Sequence, residues 1–207
     1  MAPFTSVLRL AVLALGLSAC ATPHGAGSPL ETPTLRAPGG TPADLGALVR
    51  AHRATVLVWW GSTCPCVKRY RSRIADLQAR YQPQGVAFVA IASNADDDLD
   101  TLATATSAGD LPLPALHDPG AELAQRLGVV STPSVVVLGP NGEVTFHGWV
   151  DNERPPGQSE REAWLEDHLE ATLAGGARPR RTPTWGCIIT RSLKTAGSCG
   201  KTSGGPD

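Results

Sequence analysis

The chain has 207 residues, 42% of them hydrophobic, 18% charged and 5% aromatic, which suits one medium domain with extensions, since domains commonly run to about 100–150 residues. Lys and Arg number 18 against 19 Asp and Glu, a formal charge of −1; this lacks the basic excess that phosphate neutralisation requires and argues against a nucleic-acid partner. The 22 glycines and 18 prolines gather near the two ends, where they mark extensions rather than a disordered chain.

The first segment reads as a targeting signal. Arg9 is its one charge, Leu10 to Leu17 form a short apolar run, and Leu17-Ser18-Ala19-Cys20 closes it with small residues. That run is too short to cross a hydrocarbon core of about 30 Å as a helix. The pattern resembles the lipobox of bacterial lipoproteins, in which cleavage precedes a cysteine that becomes acylated. The resemblance implies a signal peptide over residues 1–19, a lipid on Cys20, and a chain held to a membrane on the extracytoplasmic side, in the periplasm. Residues 20–40, rich in Pro, Gly, Thr and Ser, read as a flexible tether. In such compartments cysteines persist as disulfides.

A folded domain is expected over residues 41–176 and a cysteine-containing tail over 177–207. Ala43 to Val49 has helical spacing behind a Thr41-Pro42 start. Thr55-Val56-Leu57-Val58-Trp59-Trp60 is a β-branched and aromatic run, expected as a buried strand. It stops at Gly61-Ser62-Thr63-Cys64-Pro65-Cys66, beyond which Tyr70, Ile74, Leu77 and Tyr81 recur at helical intervals. Val86 to Ala92 predicts a second strand, Asp98 to Ala108 a helix with Asp96-Asp97-Asp98 as its solvated acidic cap, and Ala121 to Leu127 a helix ending at Gly128. Ser134 to Leu138 predicts a strand that Asn141-Gly142 turns into Val144 to His147, and Glu160 to Leu173 a closing helix. In the tail, Trp185 to Thr190 could dock as one short strand, and Arg178, Arg180 and Arg181 read as solvated. Alternation of strand and helix favours a central sheet with parallel strands under helices, to which the hairpin adds antiparallel ones.

Cys64 and Cys66 stand where a strand gives way to a helix. Exposed N–H groups and the macrodipole there favour a thiolate, the form of sulfur that attacks disulfides and peroxides. Lys68 lies one turn on from Cys64, where its charge could assist, although a solvated helix position is the favoured reading. The four cysteines of this part of the chain, Cys64, Cys66, Cys187 and Cys199, permit three pairings.

Val56 to Cys66, a strand ending in tryptophans followed by the cysteine turn, resembles the thioredoxin superfamily. Val130-Ser131-Thr132-Pro133-Ser134 resembles that superfamily's cis-proline loop, which implies that Pro133 faces the active cysteine. More narrowly, Cys64-Pro65 with Lys68-Arg69-Tyr70, Gly85 to Phe88, Thr132-Pro133, Phe146 to Asp151 and Gly186-Cys187 resemble extracytoplasmic redoxin-domain proteins of the alkyl hydroperoxide reductase/thiol-specific antioxidant grouping. The resemblance implies a thioredoxin-like α/β fold, with a central mixed sheet flanked by helices between the tether and the tail. It also implies a thiol–disulfide oxidoreductase that exchanges disulfides with extracytoplasmic partner proteins through Cys64.

Two positions depart from that pattern. The turn is C-x-C, with Val67 in the place of the usual second cysteine. Leu57 and Gly61 stand where typical peroxiredoxins carry Pro and Thr or Ser, which weakens the alternative of a thiol-dependent peroxidase. Cys66 is narrowly preferred to resolve Cys64; Cys187 could do so from across the fold, and a structural Cys187–Cys199 bridge is a third option. A further alternative, a copper-binding metallochaperone using Cys64 and Cys66, finds no ligand spacing among the histidines, His117 and His147 included, so no metal is expected. No Gly-rich phosphate loop is present, and no organic cofactor is implied.

Overall fold

In this computed structural model the described residues are 33–152 and 161–191. Residues 1–19, read above as a signal, lie outside them, as do Cys20 and Cys199. The elements are β1 (Leu35–Arg36), β2 (Pro42–Ala43), α1 (Leu45–Arg50), β3 (Ala54–Trp60), α2 (Pro65–Tyr81), β4 (Val86–Ala92), α3 (Leu99–Ser107), β5 (Ala115–His117), α4 (Glu122–Leu127), β6 (Ser131–Thr132), β7 (Val135–Leu138), β8 (Val144–Gly148), α5 (Trp164–Leu173), β9 (Arg180–Arg181) and β10 (Cys187–Ile188).

Eight strands form a mixed sheet in the order β2-β1-β5-β4-β3-β7-β8-β9, while β10 pairs with β6 alone. At the centre β3 runs parallel to β4, which runs parallel to β5; β7 lies antiparallel to β3, and β8 antiparallel to β7. All seven residues of β3 and of β4 are buried, because both faces of these strands are covered. Their alternation sorts the core into two layers. Val56, Val58, Trp60, Phe88 and Ala90 meet α2, α3 and α5 through Tyr70, Ile74, Leu102 and Leu165. Leu57, Trp59, Val89 and Ile91 meet α1 and α4 through Leu45, Val49 and Leu123 on the other face.

Two expectations are corrected and one gains detail. The tether gives way to structure before residue 40: Leu35 is fully buried, and β1 pairs with both β2 and β5. A single apolar side chain so placed can recruit a two-residue edge strand, which no periodicity test detects. Arg180 and Arg181 are exposed, as expected of them, yet they belong to an ordered strand. They run parallel to Phe146 and His147 as β9, with Arg181 bonded to His147 Nδ1 at 3.1 Å. The acidic triplet also divides. Asp98 caps α3 by accepting from the Thr101 N–H at 2.8 Å, but Asp97 is buried.

Candidate active site

β3 delivers the chain to the cysteine turn. Trp59 points into the layer under α1 and α4 and donates its Nε1–H to Ser93 Oγ at 3.0 Å; Trp60 points to the opposite layer, beside Cys64 and Val67. The turn Gly61–Thr63 follows, closed by the Cys64 N–H donating to Gly61 O at 3.2 Å. Cys64 is the N-cap residue of α2, with extended backbone, and Pro65 fills the first helical position. No side chain accepts from the helix's first N–H groups, and no acidic residue sits in its first turn. A thiolate at Cys64 is therefore the acceptor this helix end lacks, and the macrodipole of a 17-residue helix favours its negative charge.

The sequence favours Cys66 as the partner of Cys64, but the structure bonds Cys64 to Cys187, their Cα atoms 5.9 Å apart, and leaves Cys66 a free, half-buried thiol. Cys64 and Cys66 both sit on the first turn of α2, where neighbours two apart project to different sides, whereas β10 brings Cys187 in from above. Nor is Cys187 bridged to Cys199. All three sulfurs nevertheless gather within 4.8 Å of one another.

The peptide bond Thr132–Pro133 is cis. Thr132 faces the cysteines: its carbonyl oxygen lies 3.3 Å from Cys64 Sγ, within reach of the S–H once the bridge is reduced. β10 pairs antiparallel with β6 by setting Cys187 opposite Thr132 and Ile188 opposite Ser131. Thus the tail runs along the backbone edge immediately before Pro133. Tight turning at Gly186, with φ of +119°, brings its Cα against the Thr132 carbonyl.

Two further contacts hold the tail. Trp185 packs on Trp149, ring centroids 4.0 Å apart, and edge-on to Trp164 at 5.9 Å. On the other side the Thr190 N–H donates to Asn94 Oδ1 at 3.1 Å, and the Ala95 N–H to Thr190 O at 2.7 Å. Asn94 in turn donates to Asp97 Oδ2 at 2.7 Å, and Asp97 Oδ1 accepts the Ser62 N–H at 3.0 Å. Asp97 therefore ties the cysteine turn to the loop that grips the tail. Sequence reasoning missed this role, because nothing in an acidic triplet distinguishes the residue that turns inward.

Below the site, Tyr70 on α2 donates to Asp151 Oδ1 at 2.7 Å and stands edge-on to Trp149 at 5.1 Å. Burial, reinforced by the Asp151 carboxylate, pushes the Tyr70 hydroxyl well above the usual tyrosine range, so it remains a donor. Lys68 is exposed and lines a cleft of about 700 Å³ with Trp60, Ser62, Arg71, Asp98 and Asp110. His147 and His117 do not join the sulfurs. Among the described residues no helix is long and apolar enough to cross a membrane.

The arrangement of strand, cysteine at a helix start, and cis-proline loop opposite defines a thioredoxin-like fold. The chain belongs to the Redoxin family, whose profile matches residues 25–165. Among solved structures it is similar to a hypothetical protein of Sinorhizobium meliloti 1021 (25% identity, TM-score 0.68, covering 77% of this chain and 91% of that one). It is also similar to an uncharacterised conserved protein of Geobacillus kaustophilus (27%, 0.66, covering 76% and 87%). A protein of Chlorobium tepidum provisionally assigned as a thiol:disulfide interchange protein DsbE shares the fold at 20% identity (TM-score 0.53, covering 68% and 92%). No curated protein matches the chain. Family and bridge together make this a thiol-based redox enzyme.

Proposed function

We propose that the chain is a thiol–disulfide oxidoreductase acting on extracytoplasmic proteins, tethered to a membrane through a lipid on Cys20. The observation that carries the reading is the Cys64–Cys187 bridge at the start of α2, beside cis-Pro133. In the reductive direction the Cys64 thiolate attacks one sulfur of a partner's disulfide, and the partner's other sulfur leaves and takes up a proton. Cys187 then gives up its proton and attacks Cys64 Sγ. The Cys64–Cys187 bridge forms, the mixed disulfide breaks, and the second partner sulfur leaves as a thiol. Two electrons and two protons have passed to the partner; the oxidative direction runs the same bonds in reverse. Cys187 is the resolving residue in this scheme, in place of Cys66, and Pro133 shapes the groove along which the partner's chain lies.

A peroxidase reading is less well supported. A side chain at Gly61, where peroxidases carry Thr or Ser, would begin with a Cβ 2.9 Å from Asn94 Nδ2, and Asn94 is held by Asp97.

Insulin disulfide reduction by the full chain, with a dithiol as electron source, tests the proposal. Cys64→Ser should abolish turnover, while Cys187→Ser should accumulate a mixed disulfide on Cys64. Undiminished turnover by Cys64→Ser would overturn it.

A further inference from the structure

The exchange cycle uses two of the three clustered sulfurs and leaves Cys66 without a task. Cys64 Sγ, Cys66 Sγ and Cys187 Sγ form a triangle with no side longer than 4.8 Å. An ion bound by three thiolates at about 2.3 Å places them about 4 Å apart in trigonal geometry. Once the bridge is open, modest rotations about three Cα–Cβ bonds reach that spacing. The donor set is all sulfur, with no histidine or carboxylate of the described residues in the group. Thiolate donors of this kind select soft ions, and a closed zinc site would call for a fourth protein ligand. The surroundings also suit anionic sulfur. Cys64 stands at a helix N-terminus that no side chain caps, where the macrodipole favours negative charge. Thr132, only 1% exposed, carries a hydroxyl with no hydrogen-bond partner. A Cβ placed at Gly61 would touch both this hydroxyl, at 3.4 Å, and Cys64 Cβ, at 3.5 Å. Both lie around the same point, so an orphaned donor stands in the neighbourhood of the cluster, where metal sites commonly keep hydrogen-bonding groups.

We propose that the reduced chain binds one Cu(I) ion between Cys64, Cys66 and Cys187, and that the Cys64–Cys187 bridge abolishes this site. A dithiol reductant opens the bridge, passing two electrons and two protons to it and becoming a disulfide itself. Cu(I) then displaces the protons of three thiols with no change in its own oxidation state. In the reductive direction Cu(I) and a partner's disulfide thereby compete for the same reduced Cys64 sulfur, and closing the Cys64–Cys187 bridge withdraws that sulfur from both.

The full chain, reduced with a dithiol, freed of it and kept anaerobic, is titrated with Cu(I) against a chromogenic Cu(I) chelator. One ion per chain is expected, with three sulfurs at about 2.3 Å by X-ray absorption. The bridged chain should bind none. Cys66→Ser should lose affinity at least about tenfold, since even residues that only support ligands contribute that much. Thiol mapping that finds the Cys64–Cys187 bridge in this variant before reduction shows that it has folded. Two-sulfur coordination in the unaltered chain, or equal affinity in Cys66→Ser, overturns the proposal. Insulin reduction is assayed without copper, so the two readings fail separately.

Discussion

At the scale of single residues, Gly186 decides whether Cys187 can reach Cys64. Its φ of +119° is strained for any L side chain, and a Cβ there would stand far inside contact distance of the Thr132 carbonyl oxygen and 3.4 Å from Trp149. Gly186→Ala should therefore unseat the tail. After reduction and reoxidation with glutathione, thiol mapping should find the Cys64–Cys187 bridge largely missing. Gly176→Ala, where a Cβ meets nothing within 4 Å, should reoxidise as the parent does. The sequence marked Gly186-Cys187 through its resemblance to redoxin-domain chains, but the reason for the glycine is a carbonyl 54 positions earlier. The same holds for Asp97: its two acceptor oxygens serve Ser62 and Asn94, partners that only the folded backbone brings near.

At the scale of elements, the strands and helices that cover the core were readable because each buries a continuous face. The run Val86 to Ala92 is a strand with those bounds, and the helix behind the cysteines carries Tyr70, Ile74, Leu77 and Tyr81 on its buried side as their spacing predicts. The two-residue strands were not readable, since two residues have no period. Their consequence is electrostatic. β9 brings Arg181 against His147, and α5 buries His168 beside Thr145, with Nε2 and Oγ1 3.1 Å apart. Burial, then the neighbouring Arg181, holds His147 below the usual histidine range; burial, then Arg180, does the same for His168. Both groups are thus kept neutral in the fold while the unfolded chain protonates them near pH 6.5. The stability that depends on their neutrality is fully present above that pH. It is lost as pH falls through about 6.5 and stops falling below the folded-state values. Urea midpoints should drop between pH 7.5 and 5, and His168→Gln should flatten part of that slope. A midpoint that rose on acidification would contradict the assignment.

At the scale of the whole molecule, the bridge closes a loop across 123 positions. On the chain-entropy account such a closure contributes up to about 5 kcal/mol. Reduction, or Cys187→Ser, should therefore lower the denaturant midpoint substantially, whereas Cys66→Ser should leave the oxidised chain's midpoint nearly unchanged. Opening the bridge should also change tryptophan fluorescence, since Trp185 packs against Trp149 and Trp164. Under the proposed function, a chain that passes its bridge to a partner gives up part of its own stability in the same step, and the tail loosens with it.

The sequence by itself determined the architecture and which cysteine stands at a helix start. Strand and helix periods, the Asn141-Gly142 hairpin and the placement of Cys64 at a helix start are local or near-local properties, written in runs of adjacent residues. Only the tertiary structure decided which sulfur meets Cys64. Cys66 is two residues away and projects from the same turn to another side, while Cys187 is delivered face-on by a strand pairing with Ser131 and Thr132. Proximity in the chain did not determine which sulfurs bond: a disulfide needs particular Cα separations and side-chain directions, and these are set by packing between segments far apart in sequence.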